Sequence, residues 1–145
     1  MSVFDKLVVH GLPLVPKFIV GRFARPYVAG SELKDAVAAI RRMMAEGAIP
    51  LRPGVRRLLE AARDAGIRLA IATTTTPENV SALIANTLPP GAMHWFEAIG
   101  AGDIVPKKKP APDIYAWVLQ QMAVEPHRVI AFEDSGHGVT SAKGA

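Results

Sequence analysis

The chain has 145 residues, 50% of them hydrophobic, with a formal net charge of +4 and no cysteine. One domain of roughly 150 residues accommodates that length, and so large an apolar share excludes an intrinsically disordered chain. Disulfide frameworks and thiol catalysis are excluded as well, and no stretch approaches the ~20 apolar residues needed to cross a bilayer.

The basic residues are scattered apart from Lys107, Lys108 and Lys109, so the charge implies no nucleic-acid partner. Residues 1–10 lack the charged-then-apolar order of a signal peptide. The expectation is a cytoplasmic protein with no membrane contact and no obligate protein partner.

Along the chain, residues 1–30 read as an irregular, unassigned segment. Pro13, Pro16 and Pro26, with Gly11, Gly21 and Gly30, interrupt every apolar run. A short strand or turn near Phe18 to Val20 is the one regular piece expected there. Ser31 then suits a helix N-cap, Leu33, Val37, Ile40 and Met44 recur at helical spacing, and Gly47 closes the helix. Pro53-Gly54 opens a second helix with Val55, Leu58, Leu59 and Ala62 on one face, ended by Gly66. Ile67 to Ala72 is an apolar, β-branched run of strand length. Pro77 suits the first position of a helix that Pro89-Pro90-Gly91 stops. Phe96 to Ala101 reads as a strand, Pro112 opens another helix, and Arg128 to Phe132 is a third strand. Val139 to Ala145 has the pattern of a final helix.

Strand, helix, strand, helix, strand predicts an α/β domain with a parallel sheet. Ligands of such sheets bind outside the carboxyl ends of the strands, so three strand ends matter most. Thr73, Thr74, Thr75 and Thr76 stand where the first of these strands hands over to a helix. Hydroxyls and backbone N–H groups at such a junction can cradle a phosphate, although Thr76 alone would merely cap the helix. Lys109-Pro110 follows the second strand in a proline-stiffened loop, which can aim one of the three lysines as a fixed point charge. Glu133-Asp134 ends the third strand. Paired acids there are costly unless neutralised, and hard oxygen ligands suit Mg²⁺. His137, in the glycine-rich stretch that follows, reads as a loop residue.

The ordered set is more specific than any member. Pro50-Leu51-Arg52-Pro53-Gly54-Val55, Leu69-Ala70-Ile71-Ala72-Thr73-Thr74-Thr75-Thr76-Pro77, Lys108-Lys109-Pro110-Ala111-Pro112-Asp113-Ile114-Tyr115 and Phe132-Glu133-Asp134-Ser135 together resemble the haloacid dehalogenase superfamily. The likeness is to its phosphoglycolate phosphatase and beta-phosphoglucomutase branch, nearest the CbbY-type sugar-phosphate phosphatases. It implies a Rossmann-like core over 49–145, truncated at its carboxyl end, and a remnant of a helical cap over 31–48. By resemblance Thr73 contacts the transferring phosphoryl group with Thr74 and Thr75, Lys109 steadies nucleophile and phosphate charge, and Glu133 and Asp134 hold Mg²⁺. The implied reaction is hydrolysis of a small phosphorylated sugar or acid through an aspartyl-phosphate intermediate. A mutase of the same family shares these motifs.

The family's first motif, an apolar strand ending Asp-x-Asp-Gly-Thr, has no match. Val3-Phe4-Asp5-Lys6-Leu7 offers one aspartate and has Leu7 where the second should stand. The chain therefore reads as a fragment without its nucleophile. A central strand is expected to be missing, which would orphan two buried strand edges. That reading predicts an inactive chain, or a catalytically dead remnant that binds phosphate or a partner.

Overall fold

The computed structural model describes residues 6–9, 38–39, 42–43 and 46–145. The expected element near Phe18 to Val20, the fragment around Asp5 and the start of the Ser31 helix lie outside them. Residues 38–39 and 42–43 are helical, and Gly47 (φ +69°) ends that helix with Ala48 N–H donating to Met43 O at 2.8 Å. A glycine in the left-handed region with a bond of this reach is the Schellman termination.

The chain alternates as its pattern predicts: α1 (Val55–Asp64), β2 (Arg68–Ala72), α2 (Pro77–Thr87), β3 (Phe96–Gly100), α3 (Asp113–Met122), β4 (Val129–Phe132) and α4 (Gly136–Lys143). The final helix starts three residues before the expected Val139. Ser135 caps it, its Oγ accepting the Gly138 N–H at 3.0 Å, so a local cap overrides the poor helix propensity of Gly136 and Gly138. His137 is thereby an exposed residue of the first helical turn, not of a loop.

One expectation is overturned. The sheet is not interrupted, because Lys6–Val9 forms β1 and pairs in parallel with β2 on one side and β4 on the other. The strand order is β3-β2-β1-β4. Leu7-Val8-Val9 is apolar and β-branched, and four residues suffice because both neighbours offer unpaired backbone edges. Val9 stands opposite Ile71 and Phe132, so the carboxyl ends of the strands lie together.

Two layers of helix cover the β2–β3 half of the sheet. Leu69 and Ile71 of β2 face Leu59 and Ala62 of α1 and Val80, Leu83 and Ile84 of α2. Ala70 and Ala72 face the other way, against Ile114, Tyr115, Val118 and Met122 of α3, as a period of two requires. Small residues let α3 approach closely: a Cβ on Gly100 would lie 3.0 Å from Ile114, 3.1 Å from Val118 and 3.2 Å from Trp117. The β4 end is different. Ile130 and Phe132 are 38% and 41% exposed, and Val139 of α4 is 39% exposed. Among the described residues no helix is long and apolar enough to cross a membrane.

Candidate functional site

The β2 strand delivers Thr73 to the carboxyl edge of the sheet. Thr73 N–H donates to Gly100 O at 2.8 Å, which anchors it to the end of β3, and the residue is only 5% exposed. Its Oγ1 accepts the Thr75 N–H at 3.2 Å, turning the chain toward α2. The other threonines divide the remaining work. Thr75 Oγ1 accepts from Asn79 Nδ2 at 3.2 Å, Thr76 Oγ1 caps α2 by accepting the Asn79 N–H at 3.5 Å, and Thr74 is exposed. The bland role foreseen for Thr76 is thus the observed one, while the burial of Thr73 exceeds what a cap requires.

The three lysines separate sharply. Lys107 and Lys108 are exposed, and Lys108 pairs with Asp103 at 2.7 Å in solvent. Lys109 turns inward to a side-chain exposure of 6%. Its Nζ donates to Ala72 O at 3.0 Å and to Glu133 Oε1 at 2.7 Å, and it lies 4.5 Å from the centre of the Tyr115 ring. Burial disfavours the charged amine and brings its pKa down to about 8; Glu133 and then Asp134 oppose that shift. The ammonium form still prevails at neutral pH.

Glu133 follows β4 and is the lysine's counter-ion, with its side chain 3% exposed. Tyr115 of α3 donates its hydroxyl to the same Oε1 at 2.5 Å. Burial, followed by the bond to Glu133 and its charge, holds the phenol well above its usual pKa. The carboxylate lies against the Cα of Gly138, where a Cβ would overlap it. Ser141 ties α4 to the lysine loop by donating to Ala111 O at 2.6 Å. Asp134, one residue on, is exposed.

The structure therefore links the end of β2, at Ala72 and Thr73, to Glu133 at the end of β4 through Lys109, places Asp134 next to Glu133 in solvent, and leaves Lys107, Lys108 and His137 outside. Asp5 precedes β1, whose carboxyl end is at Val9. Tyr115 and Gly138 were not singled out from the sequence. Tyr115 sits in the apolar stripe Ile114, Tyr115, Val118, Met122, where it reads as core. Its signal would have been a hydroxyl inside that stripe, which needs a partner when buried.

A buried ammonium anchored on the last carbonyl of β2, where the chain goes on to the Thr73 hydroxyl and the N-terminus of α2, can receive an oxyanion, and an exposed carboxylate such as Asp134 can receive a cation. Comparison with known proteins gives the family. The family model for haloacid dehalogenase-like hydrolases matches residues 15–145. The chain is 50% identical over 103 residues to Protein CbbY of Cereibacter sphaeroides, covering 71% of this chain and 45% of that protein. It is 38% identical over 93 residues to a phosphorylated carbohydrates phosphatase of Thermotoga maritima, covering 64% and 42%. The crystal structure of a CbbY variant from Rhodobacter sphaeroides in complex with xylulose-(1,5)-bisphosphate superposes with a TM-score of 0.76 at 32% identity, over 97% of this chain and 82% of that one. The chain spans about half the length of the curated relatives it matches.

Proposed function

The chain belongs to the haloacid dehalogenase-like hydrolase family, and from that premise we propose that its sheet edge binds the phosphoryl group of a small phosphorylated sugar. The observation that carries this reading is the buried Lys109 ammonium, held by Glu133 and by the carbonyl of Ala72, the residue that immediately precedes the buried Thr73. A cation taken out of water at that cost is of use where a second anion will share it. Thr73 bonds a phosphoryl oxygen, the N-terminal turn of α2 directs N–H groups toward the same anion, and Lys109 supplies its charge. Within the same reading residues 31–48 are the remnant of a helical cap, and residues 49–145 with β1 form the core.

Asp134 and Glu133 are the candidate metal ligands: the exposed Asp134 carboxylate would hold the cation, and Glu133, whose Oε1 is engaged by Lys109 and Tyr115, would add its charge. Among the described residues no group of three His, Asp or Glu stands together. That donor set suits Mg²⁺, which retains waters and takes one or two carboxylates together with substrate phosphate. Bound there, Mg²⁺ would neutralise phosphoryl oxygens.

Turnover needs a nucleophile in line with phosphorus. His10-Gly11-Leu12-Pro13 follows β1, so no carboxylate succeeds that strand. A threonine hydroxyl needs an adjacent base, and Lys109 is protonated at neutral pH. We therefore infer that this chain binds phosphate esters and does not hydrolyse them. A phosphorylated pentulose, such as the one in the CbbY complex, is the first substrate to try.

Titration calorimetry with orthophosphate and with a pentulose bisphosphate, with and without Mg²⁺, tests the reading. Saturable binding is expected, stronger with Mg²⁺, and weakened about tenfold in Thr73→Val for the loss of one hydrogen bond to a charged group. Absence of binding would overturn the phosphate site. Sustained Mg²⁺-dependent phosphate release would overturn the inference of no turnover.

A further inference from the structure

We propose that Tyr115 is a positioning residue whose hydroxyl holds the Glu133 carboxylate on Lys109, so that the lysine is kept at the strand ends. The proposal deepens the phosphate-binding reading and rests on it for its purpose, but its geometry stands independently. Three features converge on Tyr115. Its hydroxyl and Lys109 Nζ share one oxygen, Glu133 Oε1, at 2.5 and 2.7 Å. The face of its ring lies 4.5 Å from the same Nζ, where the quadrupole favours a cation. The residue itself is immobilised in the core, 3% exposed, by α3 packing on β2 and β3.

A carboxylate held by a flexible lysine alone can rotate with it. One held also by a phenol on a packed helix cannot, because the ring has no freedom to follow. The missing Cβ of Gly138 leaves room that the carboxylate fills. Tyr115 thus sets the direction of Glu133, and Glu133 sets the position of the ammonium. It touches no reacting atom.

The test reads Lys109 directly. Trace acetylation of the folded chain followed by peptide mass spectrometry gives the rate at each lysine, with the exposed Lys107 and Lys108 as internal standards. Tyr115→Phe keeps the ring and removes the hydroxyl. It is expected to raise acetylation of Lys109 about tenfold relative to Lys107, the scale set by losing one hydrogen bond to a charged group. Tyr115→Leu, which removes the ring as well, should raise it further. Proton NMR supplies a second measurement: a slowly exchanging tyrosine hydroxyl resonance should be present, vanish in Tyr115→Phe and shift in Glu133→Gln. An unchanged or slower Lys109 rate in a folded Tyr115→Phe chain would overturn the proposal, as would absence of the hydroxyl resonance from the parent chain. Orthophosphate titration of the same samples separates the two readings. Failure to bind phosphate counts against the proposed function, and the labelling ratio decides Tyr115 alone.

Discussion

The two halves of the sheet are built from similar residues and reach different states. Arg68-Leu69-Ala70-Ile71-Ala72 in β2 and Val129-Ile130-Ala131-Phe132 in β4 are both short, apolar and β-branched in part. In β2 all residues after Arg68 are buried, because α1 and α2 cover one face and α3 the other. In β4 the residues after Val129 are exposed. Strand formation therefore depends on local pattern and on pairing, whereas burial depends on which helices lie on that strand. The two halves are joined by β1, which pairs with both, and by the Lys109–Glu133 contact, which reaches from the loop after β3 to the end of β4.

Breaking that contact should have the largest effect. Lys109→Met leaves a deeply buried carboxylate without its cation and is expected to cost about 3–5 kcal/mol, the range for halving a buried pair. Denaturant unfolding followed by circular dichroism measures it. A cost below that of an exposed pair would show that the halves do not depend on this link.

Next comes the direct comparison of the two strands. Ile71→Ala is expected to cost about 2–5 kcal/mol through lost burial and a residual cavity. Ile130→Ala, at an exposed site, should stay within about 1 kcal/mol, since little apolar area returns to water. Equal shifts in the unfolding midpoint would mean that the β4 face is covered in solution.

A smaller effect sharpens the buried half. Among the described residues three helices end on the same motif, two with glycine and α3 with Ala123 at φ +48°. Ala123→Gly should stabilise by about 0.5–1 kcal/mol, since glycine removes the penalty of the left-handed region. Thermal unfolding should show a higher midpoint.

The pH dependence at the junction should be the most modest. Lys109, with a native pKa lowered to about 8 from 10.5, binds fewer protons folded than unfolded between those values. Its contribution to stability therefore grows as pH rises through 8 and is lost as pH falls through it. Tyr115, raised above 10.0, acts in the opposite sense above pH 10, where the unfolded phenol ionises first. Thermal midpoints of the parent chain should rise relative to Lys109→Met between pH 8 and 10. Above that, they should fall relative to Tyr115→Phe.

Much of this architecture was legible without coordinates. Pro77 at the start of α2 and Gly66 after α1 punctuate the chain at the residue, since proline and positive-φ glycine are local requirements. The parallel α/β class followed from the alternation of periods, Glu133 and Asp134 stood out because they end a strand, and Thr73 and Lys109 were picked from their neighbours by the family resemblance. Lys6–Val9 was missed because its pattern is four residues long. Nothing in so short a run declares a strand until two neighbours present unpaired edges. Tyr115 was missed for the opposite reason, having a helical pattern so regular that it reads as core.

What the linear chain determined by itself was everything set by neighbours within a few residues: helix ends, strand runs and the order of hydroxyl, lysine and acids. It could not determine which lysine of Lys107, Lys108 and Lys109 is buried, that Glu133 turns inward while Asp134 stays in solvent, or that β1 closes the sheet. Those outcomes depend on contacts across 24 residues between Lys109 and Glu133 and 37 between Lys109 and Ala72. Only the packing of α3 on the sheet creates the low-dielectric pocket in which an ammonium, a phenol and a carboxylate must satisfy one another.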